Sequence, residues 1–96
     1  MKLDQVIQLL KKNRTALDRL GVKTLAVFGS TVRDEATSSS DVDILVTFQE
    51  APTFDQYIET KFFLEDLLGS KVDLVTQDGI KPLVQAELEK EAVYVP

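Results

Sequence analysis

Between Leu25 and Phe48 the chain reads LAVFGSTVRDEATSSSDVDILVTF, and no other stretch limits its fold as tightly. A short apolar strand (Leu25, Ala26, Val27, Phe28) runs into a Gly29-Ser30 turn, a polar segment and a serine-rich loop, and a second strand starts at Asp41. Side chains alternate faces along a strand. Val42, Ile44, Val46 and Phe48 therefore share one face, while Asp41, Asp43, Leu45 and Thr47 share the other. Two carboxylates side by side repel, and both ionise cheaply only with a cation between them. An otherwise apolar strand thus asks for a counter-charge.

The 96 residues suffice for one small domain, 1–96. A chain this short buries only about two-thirds of its unfolded surface, so a second substrate is expected to bind at the surface or to arrive on a partner. A hydrophobic fraction of 44% with 28% charged residues fits a soluble globular domain rather than disorder. No apolar run approaches the ~20 residues that span a bilayer, and MKLDQVIQLL lacks a signal-peptide pattern. The expectation is a cytoplasmic protein with no membrane partner.

With no cysteine and no histidine, disulfides, thiolate catalysis, histidine general-base chemistry and nearly every zinc site are excluded. Carboxylates remain as the strong metal ligands, and hard oxygen donors suit Mg²⁺ or Mn²⁺. The net charge is −5, unevenly spread: residues 1–33 hold seven Lys or Arg against Asp4 and Asp18, and residues 34–96 hold four Lys against fourteen acids. An acidic balance without an aromatic-interleaved basic stripe argues against nucleic acid as the main partner. The basic N-terminal third is a solvated helix face, or else a surface near bound phosphates or an acidic partner.

The remaining elements follow from periodicity. Leu3, Val6, Ile7, Leu10, Leu17 and Leu20 form a helical stripe over residues 2–20, ending near Gly21. Lys23 to Phe28 reads as a central strand covered on both faces, and STVRDEA as a short helix beginning at the strand's end. Thr53 with Gln56 forms a capping box, so a helix should run from Phe54 to about Leu68 and stop at Gly69. On that helix Phe54, Tyr57, Ile58, Phe62, Leu64 and Leu68 share one broad arc. Phe63 and Leu67 fall roughly opposite, as part of a wide core or as a docking spot for another chain, including a second copy. Lys71 to Thr76 is a third strand carrying Asp73, residues 80–92 form a last helix with Pro82 in its first turn, and Val93–Val95 adds an edge strand. The layout is α/β, a small sheet with flanking helices.

Each chemical signal has a structural alternative. Asp41 could simply close the serine loop, but Asp43, followed by Ile44, Leu45 and Val46, must be paired, hydrogen-bonded, metal-bound or neutral. Asp73 repeats the anomaly between Val72 and Leu74, with an ion pair to Lys71 or Lys23 as the plain reading. If the two strands are adjacent with faces aligned, three carboxylates converge at one end of the sheet. Gly29 and Ser30 would let backbone approach a phosphate at a helix N-terminus, or form an ordinary turn with Ser30 as N-cap. Arg33 could reach a phosphate, neutralise the carboxylates, or pair with Asp34 or Asp41. There is no Walker-type GxxxxGK.

Phe28-Gly29-Ser30, ten intervening residues, Asp41-Val42-Asp43-Ile44, and then Val72-Asp73-Leu74-Val75 together resemble the minimal nucleotidyltransferase family of the DNA polymerase β-like superfamily. The resemblance covers nearly the whole chain, since KPLVQAELEKEAVYV is also like that family's final helix and strand; Asp34 departs from it, standing where members often carry glycine. It implies that family's fold, with Asp41 and Asp43 holding two divalent ions, typically Mg²⁺, about 3.5–4 Å apart. Asp73 would complete the ion nearer the acceptor and help deprotonate its hydroxyl, and Gly29, Ser30 and Arg33 would take the nucleoside triphosphate. It further implies the antitoxin of a toxin–antitoxin pair, using ATP to adenylylate a tyrosine of a HEPN-type ribonuclease toxin. The other readings are a catalytically silent antitoxin acting by contact, and a transferase using a small-molecule acceptor at a site shared across a homodimer.

Overall fold

In the computed structural model, which describes residues 2–33, 41–79 and 82–96, helices α1 (Leu3–Lys12) and α2 (Arg14–Arg19) lead into strand β1 (Val22–Phe28) and a 3-10 turn at Gly29–Thr31. Strand β2 (Val42–Phe48), helix α3 (Phe54–Leu68), strand β3 (Val72–Thr76), a second 3-10 turn (Gln77–Gly79), helix α4 (Pro82–Glu91) and strand β4 (Val93–Tyr94) follow. The sheet order is β3-β2-β1-β4. β1 runs antiparallel to both β2 and β4, whereas β2 and β3 are parallel, so the sheet is mixed. The serine loop, the rest of STVRDEA beyond Arg33, and residues 80–81 of the expected last helix lie outside the described residues.

The N-terminal stripe is not one helix. At Asn13 the side-chain amide donates to the Leu9 carbonyl at 2.9 Å, and the backbone turns to φ −107°, ψ 20°. A short polar side chain that competes for a backbone carbonyl interrupts a helix without cancelling its apolar face. Val6, Leu10 and Leu17 consequently still reach the same core.

That core lies on one side of the sheet. Leu25 and Val27 of β1, Val42, Ile44, Val46 and Phe48 of β2, and Val72 and Leu74 of β3 pack under α1, α2 and α3. The opposite side, which α4 faces, carries a smaller cluster of Ala26, Phe28 and Leu45, against which, among the described residues, Val75, Leu88 and Ala92 pack. Polar contacts assist there: the Thr47 hydroxyl donates to the Gln77 side chain at 2.7 Å, and Gln77 donates on to Glu89 at 3.3 Å.

α3 starts and stops where its caps require: Thr53 Oγ1 accepts the Gln56 N–H at 3.1 Å, and Gly69 closes the helix at φ 65°. The Gln56 side chain, expected to complete the box, reaches instead to the Leu20 carbonyl at 2.8 Å and ties α3 to the end of α2. The helix's phase differs from the expected arc. Thr60, Leu64 and Leu68 are buried, the Thr60 hydroxyl being satisfied by the Gln56 carbonyl at 2.8 Å. Phe54 and Phe62 are 77% and 60% exposed, whereas Phe63 and Leu67 pack against the main core. Phe63 and Leu67, part-buried against that core, fit the wide-core reading. A helix with apolar residues on every side has no dominant face, so packing chooses which side goes inward. Among the described residues no helix is long and apolar enough to cross a membrane.

Candidate active site

Register brings distant residues together. β1 and β2 slip by one residue at Lys23, between the pairs Val22–Phe48 and Thr24–Thr47. The Lys23 carbonyl at this bulge accepts from the Arg14 guanidinium. From there the ladder runs regularly to Phe28 opposite Asp43. On the other edge of β2 the parallel register sets Asp43 beside Asp73, in strands that lie about 4.8 Å apart. Paired residues share a face, so Asp43 and Asp73 stand on the α4 side, with Asp41 two residues earlier on that side of the chain. Asp43 is half-buried, and Asp41 and Asp73 are exposed.

The Gly29-Ser30 turn closes over this group. Gly29 is buried with φ +73°, and a Cβ built on it would lie 2.0 Å from Asp43 Oδ2. Only glycine permits both that backbone conformation and that approach. The Gly29 carbonyl accepts the N–H of Val32 at 3.1 Å and of Arg33 at 3.2 Å. The turn is a single 3-10 turn whose cap position is Phe28, so Ser30 is not its N-cap. Among the described residues the Ser30 hydroxyl makes no hydrogen bond, and it is part-exposed.

The electrostatics follow from this geometry. Burial pushes the Asp43 carboxyl above its ordinary 3.8, the charges of Asp73 and then Asp41 push it the same way, Arg33 pulls against them, and a hydrogen bond with Asp73 adds to the rise. Among the described residues Asp73 makes no ion pair with Lys71 or Lys23, so the plain explanation of that acid does not apply. Arg33 pairs with Glu91, the last residue of α4 and 58 positions away, while its charge also acts on Asp43; Asp34, one of the other partners considered for it, lies outside the described residues.

The donor set suits a hard divalent cation: it is all oxygen, and its carboxylates repel one another until a positive charge arrives. Among the described residues no three acids are gathered into a ready-made cage. Such a cation would therefore be held by one or two carboxylates and complete its shell with phosphate oxygens and water, as Mg²⁺ commonly does. Glu91 was not singled out from sequence. Its one local signal is an acid in a helix's last turn, where the macrodipole disfavours negative charge.

Residues 7–95 match the nucleotidyltransferase domain family, and the chain belongs to it. That family works on nucleoside triphosphates with a divalent metal. The chain is 42% identical over 96 residues to the protein adenylyltransferase MntA of Thermococcus cleftensis, covering 99% of this chain and 97% of that one. It superimposes on a solved structure described as a minimal nucleotidyltransferase with a TM-score of 0.84 and 34% identity, over 97% of this chain and 95% of the other. The same fold, at TM-score 0.67 and 19% identity over 94% of this chain and 71% of the other, occurs in the complex of a tri-AMPylated Shewanella oneidensis HEPN toxin with an MNT antitoxin.

Proposed function

We propose that this protein transfers AMP from ATP to a tyrosine hydroxyl of a HEPN-type partner toxin in the cytoplasm, and so acts as the antitoxin of the pair. The observation that carries the reading is the parallel register of Asp43 with Asp73, capped by the Gly29 backbone against the Asp43 carboxylate. The adenylyltransferase name of the Thermococcus cleftensis relative supports the reaction, and the shared fold of the toxin-bound antitoxin supports the partner.

The backbone at Gly29 and the hydroxyl of Ser30 would seat the β and γ phosphates, because a sharp turn with a left-handed glycine presents N–H groups to an anion. This leaves the α-phosphate over the carboxylates. Asp41, Asp43 and Asp73 would hold Mg²⁺, two ions in the full arrangement or Mn²⁺ in its place, supplying charge to the phosphates and acidifying the acceptor hydroxyl. The acceptor oxygen forms a bond to the α-phosphorus, the bond from that phosphorus to the β-phosphate's bridging oxygen breaks, and pyrophosphate leaves. Asp73, the exposed member of the pair, would receive the hydroxyl proton.

The test is transfer of label from α-labelled ATP to a purified HEPN-type partner, comparing wild type with Asp41→Asn and Asp73→Asn. Label on the partner with wild type alone is expected. Neutralisation of the partner by Asp41→Asn, with no label from any variant, would leave an antitoxin that works by contact.

A further inference from the structure

Asp43 and Asp73 stand on strands of unequal support. β2 has a strand on each side, whereas β3, which carries Asp73, is an edge of the sheet. The Val42 N–H donates to the Lys71 carbonyl at 2.9 Å, so in this parallel ladder Lys71 and Asp73 turn their backbone groups toward β2, and Val72 and Leu74 turn theirs outward. Among the described residues no strand meets that outward side. Two side chains of α3 meet it instead: Glu65 Oε2 accepts the Val72 N–H at 3.0 Å, and the Tyr57 hydroxyl donates to the Leu74 carbonyl. The bonds fall on the residues immediately before and after Asp73. One satisfies a backbone donor and the other a backbone acceptor, as a further strand would. α3 gives them a firm base, since its Thr60, Leu64 and Leu68 are buried and its Gln56 donates to the Leu20 carbonyl.

We infer that Glu65 and Tyr57 are positioning residues that clamp the open edge of β3 and so fix Asp73 beside Asp43 at the cation site. An exposed carboxylate on a strand bonded along one side only shifts as that strand opens locally. A misplacement of about 1 Å is enough to cost a reaction about 10²-fold. Asp43, on a strand bonded along both sides, needs no such clamp. This rests on the reading of Asp41, Asp43 and Asp73 as the cation site. It adds two residues that touch neither substrate nor metal and that reach the edge of β3 from the side of the sheet opposite the acids.

Direct Mn²⁺ binding by the full chain, followed by loss of the free-ion electron paramagnetic resonance signal, tests it together with amide hydrogen exchange. Tyr57→Phe removes one hydroxyl and keeps the ring, and Glu65→Met keeps the side chain's length and removes the acceptor. Each should weaken Mn²⁺ binding about tenfold, the lower range for losing an outer partner of a metal site. Glu65→Gln keeps an oxygen for the Val72 N–H and should bind within about threefold of wild type, a neutral acceptor being roughly half as strong. In Glu65→Met the Val72 amide should exchange about fivefold faster, the change that follows loss of one ordinary hydrogen bond. With Asp73→Asn already in place, neither Tyr57→Phe nor Glu65→Met should weaken binding further, because the carboxylate they hold is gone. Losses as large in that background as in wild type would mean general damage to the fold and would overturn the inference. Wild-type binding by folded Tyr57→Phe and Glu65→Met would overturn it too. Asp73→Asn alone separates the two layers: if it binds Mn²⁺ as wild type does, or if wild type binds none, the place of Asp73 in the site fails and the inference with it. If Asp73→Asn weakens binding while the α3 variants do not, only the clamp fails.

Discussion

The two sides of the sheet are built to different standards. Under α1, α2 and α3 the packing is apolar and closed: Val6, Leu10, Leu17, Leu25, Val27, Ile44, Val46 and Leu64 are all fully buried. Under α4, among the described residues, a cluster of three buried residues gives way to polar contacts, to the half-buried Asp43 and to the exposed Asp41 and Asp73. One side supplies the stability that lets the other keep repelling charges close together. Asp43 and Ile44 are neighbours in sequence on opposite sides, so exchanging each in turn measures the division of labour.

The largest expected effect on chemistry is at position 43. Asp43→Asn should lower transfer of AMP to the partner by at least about 10²-fold, the scale for losing one electrostatic contributor to a transition state. The protein should remain folded by circular dichroism. Ile44→Ala should do the reverse, costing about 2–5 kcal/mol in denaturant melts as a large-to-small change in a packed core, with activity per folded molecule retained. An Asp43→Asn protein that unfolds as readily as Ile44→Ala would erase the distinction.

Gly29→Ala lies between these cases. The left-handed backbone costs about 1–2 kcal/mol for a residue with a Cβ, and that Cβ would meet Asp43 Oδ2 at 2.0 Å. Both melting temperature and transfer should fall, measured by thermal denaturation and label incorporation. A neutral Gly29→Ala would show that the turn does not press on the carboxylate.

A subtler effect is the pH dependence without divalent metal. Because the folded-state pKa of Asp43 is raised above 3.8, the folded protein holds a proton that the unfolded chain has lost over the window above that value. Fewer protons on the unfolded state give a negative slope, so this group's stabilisation is complete below 3.8 and is lost as pH rises through the folded pKa. In EDTA, Asp43→Asn should therefore melt above wild type at pH 7, by a few degrees, with the gap closing toward pH 3.5. Adding Mn²⁺ at pH 7 should raise the wild-type midpoint and leave that of Asp43→Asn in place. A gap that widens on acidification would contradict the geometry of the acids.

The smallest effect separates two adjacent aromatics on α3. Phe62→Ser should change stability by less than about 0.5 kcal/mol, whereas Phe63→Ala should cost about 1–3 kcal/mol in the same melts. Equal costs would mean that Phe62 is covered in solution.

Much of the fold is written in local patterns. The alternation in VDILVTF and KVDLVT placed the strands and put the acids of each on one face, and Thr53 and Gly69 bounded α3 because caps act within a few residues. The N-terminal stripe marked the core-facing side even though Asn13 divides the helix, since a side-chain hydrogen bond interrupts the backbone without changing the apolar spacing. The phase of α3 was not legible. FDQYIETKFFLEDLL has apolar residues all round, and the choice between Phe62 and Phe63 is made by what packs beneath.

Periodicity, caps and turns are short-range properties, and for them the order of residues was enough to give the three longer strands, the ends of α3 and which residues share a strand face, though not the break at Asn13 or the 3-10 turn after Phe28. Long-range pairings were settled only on folding. The bulge at Lys23 and the parallel alignment of β2 with β3 bring Asp43 between Phe28 and Asp73, and the path of α4 delivers Glu91 to Arg33. Such pairings depend on the summed packing of a whole sheet and its helices, and no single segment holds that sum.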